Sequence, residues 1–271
     1  MQIKYICPFW GKEGASAESF IRQVIDAGYD GVEVNIADDK TFANDLVRLV
    51  DQNKLYFVAQ QYLNPQLEDF DQYRARYVLK LEGLTELNPS FINSHTGRDF
   101  WSVDKNGQLI EDAFLITQKT GIPIYHEIHR GRFTFHSTAL ISYLEKYPEL
   151  KLTADFSHWC TVSESFLEDQ EFALKRAFAH SGYIHARVGH TQSPQVNDPF
   201  APEWAEALNR FVAWWKEIIQ TNSEANVEVF PICPEFGPFP YMPTFPYTKE
   251  PIINQWTVNL KMKDYLSSLF N

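Results

Sequence analysis

The feature that most constrains the fold is a regular alternation of short apolar segments with longer segments of helical period. The apolar segments are rich in β-branched and aromatic residues, as expected for buried strands. They recur at intervals of roughly 30 residues, at residues 3–7, 31–36, 55–60, 91–95, 122–127, 152–155, 183–187 and 227–230. Helical period follows many of them, at residues 17–27, 70–87, 137–146, 203–219 and 252–270.

Eight strand-and-helix units in a chain of 271 residues predict an α/β fold, a single (β/α)8 TIM barrel that spans residues 1–271. The alternative is an open doubly wound sheet, which also alternates strands and helices. That fold usually carries a G-x-G-x-x-G phosphate turn after its first strand, and the segment Pro8-Phe-Trp-Gly-Lys-Glu-Gly14 lacks the pattern. The barrel is therefore favoured, with the irregular residues 189–202 as a candidate active-site loop.

The charge and cysteine content exclude several classes of protein. The chain has 24 Lys and Arg against 35 Asp and Glu, a net charge of −11, which disfavours binding to a nucleic acid backbone. No segment approaches the ~20 apolar residues of a membrane span. Cys7, Cys160 and Cys233 have neither the number nor the spacing of a disulfide framework or a zinc ribbon. We therefore predict a cytoplasmic protein that binds a small molecule and neither nucleic acid nor membranes.

Polar side chains stand at the ends of the last four predicted strands, where barrel enzymes carry their chemistry. The set consists of Glu127, Asp155, His185 and Glu235. Mixed oxygen and nitrogen ligands suit one divalent ion such as Mn²⁺, Zn²⁺, Co²⁺ or Fe²⁺, with Mg²⁺ also compatible. Without a cation the three carboxylates would repel one another. The alternative is that each acid pairs with a nearby arginine.

Further residues near the strand ends are candidates for contacts with a substrate. Arg130, Arg132 and Arg187 could bind a phosphate or carboxylate through the planar guanidinium, or could balance the acidic residues. His95 could donate a hydrogen bond to a substrate, or be a buried histidine of the core. Trp10 and Trp159 could stack on a sugar, or close the top of the barrel.

Five motifs carry a resemblance to a known family: Asn93-Ser-His95-Thr-Gly97, His126-Glu127, Asp155-Phe-Ser-His158, Ile184-His185-x-Arg187 and Glu235-Phe-Gly-Pro238. In this order and spacing they resemble the xylose-isomerase-like TIM barrels, a group that includes sugar isomerases, ketose 3-epimerases, inosose dehydratases and apurinic endonucleases. The resemblance implies that Glu127, Asp155, His185 and Glu235 bind one metal ion. It also implies that Glu127 and Glu235 are an acid/base pair and that His158 contacts substrate or metal.

Two differences from the motifs of the family limit the reactions that the sequence supports. Apurinic endonucleases of this group use an Asp-Arg-His motif beyond the seventh strand to complete a three-metal cluster, and residues 192–199 lack it. Xylose isomerases place a Lys two residues beyond the fifth-strand Glu, where this chain has His129. They also place paired acids on the seventh strand, where this chain has Arg187. These differences argue against a nuclease and against a two-metal hydride shift.

The sequence thus predicts a divalent-metal-dependent isomerase or epimerase acting on a sugar, polyol or related hydroxy-carbonyl compound. The expected chemistry is proton transfer through a metal-stabilised enediolate, and a dehydratase would use the same residues. The residues expected to contact substrate are His158, Arg187, His95, Trp10 and Trp159. The alternatives are a metal-dependent phosphodiesterase of the apurinic endonuclease type and a non-catalytic sugar-binding barrel. A homodimer is one of the assemblies compatible with the sequence.

Overall fold

The strands form a closed parallel barrel in a computed structural model that describes residues 1–36, 39–64 and 66–270. Neighbours in the chain are neighbours in the barrel, and the last strand pairs with the first. The strands found in these residues are β1 (Gln2–Pro8), β2 (Gly31–Val34), β3 (Tyr56–Gln61), β4 (Phe91–Ser94), β5 (Ile124–Glu127), β6 (Lys151–Ala154), β7 (Ser181–His185) and β8 (Val229–Cys233). The predicted (β/α)8 barrel is confirmed.

Helices cover the outside of the barrel, and two of them occupy the connection between β6 and β7. The helices in the described ranges are α1 (Ala17–Asp26), α2 (Lys40–Asn53), α3 (Phe70–Thr85), α4 (Val103–Thr120), α5 (Ser137–Lys146), α6 (Phe156–Ser163), α7 (Glu171–His180), α8 (Ala205–Glu224) and α9 (Gln255–Phe270). Short polar side chains begin several of them. At α3, Asp69 accepts from the backbone N–H of Gln72, whose side chain accepts from the backbone of Asp69 in return.

The inner layers of the barrel explain why the polar residues gather at one end. Phe91, Tyr183 and Cys233 belong to an apolar cluster together with Ile6 and Val58. Because side chains alternate along a strand, the next inward position lies two residues further on. Those positions hold Asn93, His185 and Glu235, so the barrel interior changes from apolar to polar towards the C-terminal ends of the strands.

Several predicted boundaries differ from the structure. The last helix begins at Gln255 rather than at residue 252, which leaves a long irregular segment, residues 234–254, after β8. Strand β8 runs through Pro231, which pairs with Lys4 of β1, whereas the predicted strand ended at residue 230. The three cysteines are free and buried. Among the helices of the described ranges, none has the length and apolar character needed to cross a membrane.

Candidate functional site

A cavity of about 390 Å³ opens at the C-terminal mouth of the barrel. This volume lies within the range of small-molecule sites. Its walls combine aromatic and polar side chains, including Trp10, Tyr62, His95, Arg132 and Tyr241. Glu127, Glu235 and Arg187 line it as well. The mouth of the barrel is therefore the candidate active site.

The four predicted metal ligands come together beside this cavity. Glu127 ends β5, Asp155 directly follows β6, His185 ends β7, and Glu235 stands two residues beyond β8. One ligand-type atom from each lies within 4.8 Å of the others, and all four residues are buried. Three carboxylates and one imidazole at this separation form a compact donor set of the kind that divalent ions prefer.

The local sequence holds Asp155 in place by making it the first residue before a helix. Its Oδ1 accepts a hydrogen bond from the backbone N–H of Ser157 at 3.1 Å, which caps α6. Its Oδ2 contacts Nη2 of Arg187. Burial raises the pKa of Asp155 to about 6, although Arg187 acts in the opposite direction.

The two nitrogens of His185 have different surroundings. Nε2 lies 2.8 Å from Oε2 of Glu33, while Nδ1 lies 3.0 Å from Oε2 of Glu235 and 3.8 Å from Oε2 of Glu127. Nδ1 is buried and forms no hydrogen bond within the described residues. Burial alone would lower the pKa of His185, but Glu235, Glu33 and Glu127 together raise it well above its usual range. This pocket attracts positive charge at Nδ1.

Glu33 was missed by the sequence analysis although it is buried at the centre of the site. Its Oε1 accepts from Nδ2 of Asn93 at 2.8 Å, and its Oε2 accepts from the hydroxyl of Tyr183 at 2.8 Å. A carboxylate on the far nitrogen fixes the orientation of a metal-binding histidine in many proteins. The available signal was an acidic residue inside the otherwise apolar β2 segment Gly31–Val34.

Glu127 is held by two partners on β4 and just beyond it. Its Oε2 accepts from Nδ2 of Asn93 at 2.8 Å and lies 3.0 Å from Nε2 of His95. Burial lowers the pKa of His95 to about 3, and Arg132 adds to this effect. A neutral His95 therefore contacts Glu127 without adding a positive charge beside it. His95 also lines the cavity, so it is placed to contact a bound molecule.

Glu235 lies between His185 and Arg187. Nη1 of Arg187 is 3.5 Å from Oε2 of Glu235, and Nη2 of Arg187 is 2.9 Å from Nε2 of His158. Burial would raise the pKa of Glu235, but His185 and Arg187 outweigh it and lower the pKa to about 2. His158 is buried on the far side of Arg187, against the ring of His129. Nε2 of His158 also lies 3.6 Å from Oδ2 of Asp155, so His158 and Arg187 both approach that carboxylate.

Two aromatic rings form one wall of the cavity. Trp10 and Tyr241 pack edge to face with ring centroids 4.9 Å apart. Gly237 permits this arrangement, since a Cβ atom there would lie 2.1 Å from the Trp10 ring. Tyr241 belongs to the irregular segment after β8 and was not predicted. Its ring also lies 4.7 Å from the guanidinium carbon of Arg187.

Trp159, predicted to contact substrate, lies in a different place. It belongs to α6, is fully buried, and packs on Phe156 with ring centroids 5.2 Å apart. Its indole N–H donates to the backbone carbonyl of Thr134 at 2.8 Å. The residue does not line the cavity at the barrel mouth. Its placement is that of a core residue, so we assign it no contact with substrate.

Two other groups of ligand-type side chains overlap the four-residue set, and neither suits a cation as well. His95, Glu127 and His129 lie close together, but the positive charge of Arg132 acts on both histidines. Glu33, His185 and Cys233 also lie together. There the burial of Cys233 raises the pKa of its thiol well above the usual value, which keeps the sulfur protonated. The set of Glu127, Asp155, His185 and Glu235 therefore fits a metal best.

Comparison with solved structures finds the same fold over nearly the whole chain. A 3-keto-D-glucoside 4-epimerase from E. coli superposes with a TM-score of 0.63 and 12% identity, covering 98% of this chain and 100% of the other. A probable 3-DHS dehydratase from Bacillus anthracis has a TM-score of 0.62 and 16% identity, with 97% and 98% covered.

A xylose isomerase-like TIM barrel protein from Mycobacterium smegmatis, solved in complex with magnesium, has a TM-score of 0.63 and 11% identity, with 98% and 96% covered. No family model and no curated protein sequence matches the chain. At these identities the likeness concerns the fold. It confirms the resemblance to the xylose-isomerase-like TIM barrels.

Proposed function

We propose that this chain is a divalent-metal-dependent isomerase or epimerase acting on a sugar, polyol or related hydroxy-carbonyl compound, with dehydration as a variant of the same chemistry. The observation that carries the proposal is the convergence of Glu127, Asp155, His185 and Glu235 within 4.8 Å beside a cavity of about 390 Å³. The structural neighbours support it, because an epimerase, a probable dehydratase and a magnesium complex share the fold.

The same four residues would hold the metal, with His185 using Nδ1. That atom faces two carboxylates and has no hydrogen bond among the described residues, while Nε2 is engaged by Glu33. A bound divalent ion supplies Lewis-acid polarisation of a carbonyl and offsets negative charge that develops beside it. The ion would take the place of the proton that the surrounding carboxylates favour on His185.

Glu127 and Glu235 are the groups that we assign to proton transfer. They line the same cavity from β5 and from beyond β8, three strands apart around the barrel. Each is held by a neighbour: Glu127 accepts a hydrogen bond from Asn93, and Glu235 forms an ion pair with Arg187. One glutamate would remove the proton from the carbon next to the carbonyl and the other would return it from a different side. Two separate bases are what inversion at a carbon requires.

The remaining residues would bind and orient the substrate. Trp10 and Tyr241 offer ring faces and edges to the C–H surface of a sugar. Arg187 lies against Asp155 and Glu235 and can donate to substrate hydroxyl oxygens from the wall of the cavity. His158 contacts Arg187 and would help to hold the guanidinium in position. His95 lines the cavity and could donate to a bound oxygen.

The test is incubation of the metal-loaded protein with ketoses, aldoses and inososes in D₂O, followed by NMR. Deuterium entering a single carbon would identify the bond that is broken, and metal analysis of the same sample should give about one ion per chain. A metal-dependent phosphodiesterase would instead hold three ions and cleave abasic DNA. A sugar-binding barrel would exchange no substrate proton. Either result would replace the proposal.

Replacing Glu33 with glutamine is expected to weaken metal binding by about 10–100-fold, the usual effect of losing the carboxylate behind a metal-binding histidine. The amide keeps an oxygen near Nε2 of His185 but removes the negative charge that orients the ring. Tyr183→Phe is the matched control, because it deletes one hydrogen bond to Glu33 and keeps the carboxylate. Competition with a chromophoric chelator gives both affinities. Equal affinities for wild type and Glu33→Gln would contradict the assigned role.

Chelation of the metal is expected to lower the melting temperature while leaving the secondary structure intact. The core packs between the strands and the surrounding helices without involving the ligand set. Binding selective for the native state adds about 2.7 kcal/mol at a hundredfold excess over Kd. For a domain of this size that corresponds to about 5–10 °C. Calorimetry and circular dichroism measure the two effects, and loss of the far-UV signal on chelation would show a structural metal instead.

A further inference from the structure

Arg132 is a buried arginine that has no hydrogen-bond partner at two of its nitrogens among the described residues. The residue follows β5, lines the cavity, and is 4% exposed. Its Nε and Nη1 atoms are buried and have no hydrogen-bond partner in the part of the chain that the structure describes. A buried guanidinium normally has a carboxylate or several carbonyl oxygens around it, because its five N–H donors are costly to remove from water.

Three arginines that form ion pairs with carboxylates show the contrast. Arg187 contacts Asp155 and Glu235. Arg74 is bound to Asp112 at 2.6 Å, and Arg76 to Glu68 at 2.6 Å. All of these are paired, even though Arg74 and Arg76 are more exposed than Arg132. Among the arginines of residues 1–36, 39–64 and 66–270 for which no ion pair is found, Arg132 is the least exposed, and it lines the cavity.

The surroundings of Arg132 do not replace a counter-ion. The ring of Tyr62 lies 5.3 Å from its guanidinium carbon, and a ring face cannot accept the in-plane N–H bonds of the fork. Burial lowers the pKa of Arg132 and Arg98 acts in the same direction, while Glu127 acts against both from a distance. Glu127 is engaged by Asn93 and His95. Arg132 therefore brings a positive charge to the wall of the cavity, and two of its guanidinium nitrogens have no hydrogen-bond partner among the described residues.

We propose that Arg132 binds a carboxylate of the substrate, which makes the substrate an acidic hydroxy-carbonyl compound rather than a neutral sugar. This inference rests on the proposed function, since it names the substrate class of the same site. A carboxylate matches the planar fork and neutralises a single guanidinium. A phosphate dianion would call for a second free cation, and Arg187, the other arginine lining the cavity, is already paired.

Paired probes of equal chain length test the proposal: D-gluconate, which carries a carboxylate, and D-glucitol, which carries a hydroxymethyl group instead. Calorimetric titration of the metal-loaded wild type should show that gluconate binds at least about tenfold more tightly, as expected for a charge-assisted pair in a buried site. In Arg132→Gln the preference should fall to about one. In Arg130→Gln it should persist, because that arginine does not line the cavity and the charge removed is the same.

Two results would overturn the proposal. A preference for gluconate that survives in Arg132→Gln would show that the metal alone holds the carboxylate. Tighter binding of D-glucitol 6-phosphate than of gluconate in the wild type would show that the anion is a phosphate. The melting temperature separates a structural role from a binding role. Loss of an unpaired buried charge should leave the ligand-free Arg132→Gln variant as stable as the wild type or more so, whereas a structural arginine would lower it.

Failure of this inference is distinguishable from failure of the proposed function. Proton exchange on neutral ketoses without any Arg132-dependent preference for gluconate would retain the isomerase and reject the acidic substrate. Arg132-dependent binding of gluconate without proton exchange on any hydroxy-carbonyl compound, neutral or acidic, would retain the carboxylate site and reject the isomerase. The two measurements use the same metal-loaded protein and report on different atoms.

Discussion

Replacing either Glu127 or Glu235 with glutamine is expected to lower net conversion of the substrate by about 10²–10⁴-fold, the usual contribution of a general acid or base. The two glutamates line one cavity and are held by different neighbours, Glu127 by Asn93 and Glu235 by Arg187, so each can act at its own side of a bound molecule. Glutamine has nearly the same size and keeps an oxygen, but it cannot take up a proton. The loss should therefore fall on turnover more than on substrate binding.

The two variants should also differ in which epimer they still exchange. If Glu127 removes the proton from one face of the substrate carbon, the Glu127→Gln variant still has Glu235. It should incorporate deuterium only into the epimer whose proton points to Glu235. Glu235→Gln should show the opposite selectivity. NMR of each purified epimer in D₂O records this directly. A residue that acted only on folding or metal affinity would reduce both exchange reactions together.

Metal content and a distant buried acid provide the controls. The side chain of Glu68 is largely buried and pairs with Arg76 outside the cavity. Glu68→Gln therefore shows how a buried Glu→Gln substitution affects stability and turnover away from the proposed site. Glu68→Gln should keep wild-type turnover. If Glu127→Gln and Glu235→Gln retain their metal and convert substrate at close to the wild-type rate, the mechanism with two glutamates is wrong, and a hydride shift or a solvent proton shuttle would have to replace it.

The fold could be predicted from the sequence because the strand signal repeats and each repetition is local. Even four-residue strands such as β2 and β6 were found as apolar runs between helical segments. The predicted ends of strands and helices were wrong where tertiary structure overrode a local sequence rule. Proline usually ends a strand, yet Pro231 pairs within β8 because closure of the barrel holds the backbone extended there. The start of α9 was misplaced by three residues after a long irregular segment.

The site could be predicted only where a polar side chain followed an apolar strand. That signal found Glu127, Asp155, His185 and Glu235, whose roles as ligands stay a prediction. Glu33 was missed because its partners, Asn93 and Tyr183, are on other strands, and such contacts appear only when the barrel closes. The phase of a short helix is equally hard to predict. Trp159 lies four residues after the capping Asp155, and this places its ring in the core.

The pairing of Arg132 could not be foreseen for a similar reason. The sequence showed three arginines beside an acidic site and offered charge balance or anion binding for each. Only the folded chain distinguishes them, because Arg187 reaches Asp155 and Glu235 while Arg132 reaches no acid among the described residues. The absence of a contact leaves no signal in the local sequence. The acidic residues therefore predict where a metal ion binds, whereas only the closed barrel shows that Arg132 has no acidic partner among the described residues.

Removing one of the proposed metal ligands is expected to abolish metal binding more completely than removing Glu33, the carboxylate behind His185. His185→Ala deletes the nitrogen that faces Glu235 and Glu127, and Asp155→Asn keeps an oxygen but loses its charge. Either change should weaken the metal complex by more than about 100-fold, the upper range for an outer carboxylate such as Glu33. Elemental analysis after dialysis should then find metal in the wild type and almost none in the two variants.

The control is His126, a buried histidine of β5 whose side chain lies on the opposite face of that strand from Glu127. His126 bonds Thr96 at 2.7 Å and does not line the cavity, so His126→Gln should keep its metal. The metal-free forms add a second criterion. In the wild type the carboxylates hold a proton on His185, so His185→Ala leaves them facing one another with less positive charge. Asp155→Asn removes the ion pair with buried Arg187 instead. Both metal-free variants should therefore melt below the metal-free wild type, and unchanged metal content in either variant would remove that residue from the site.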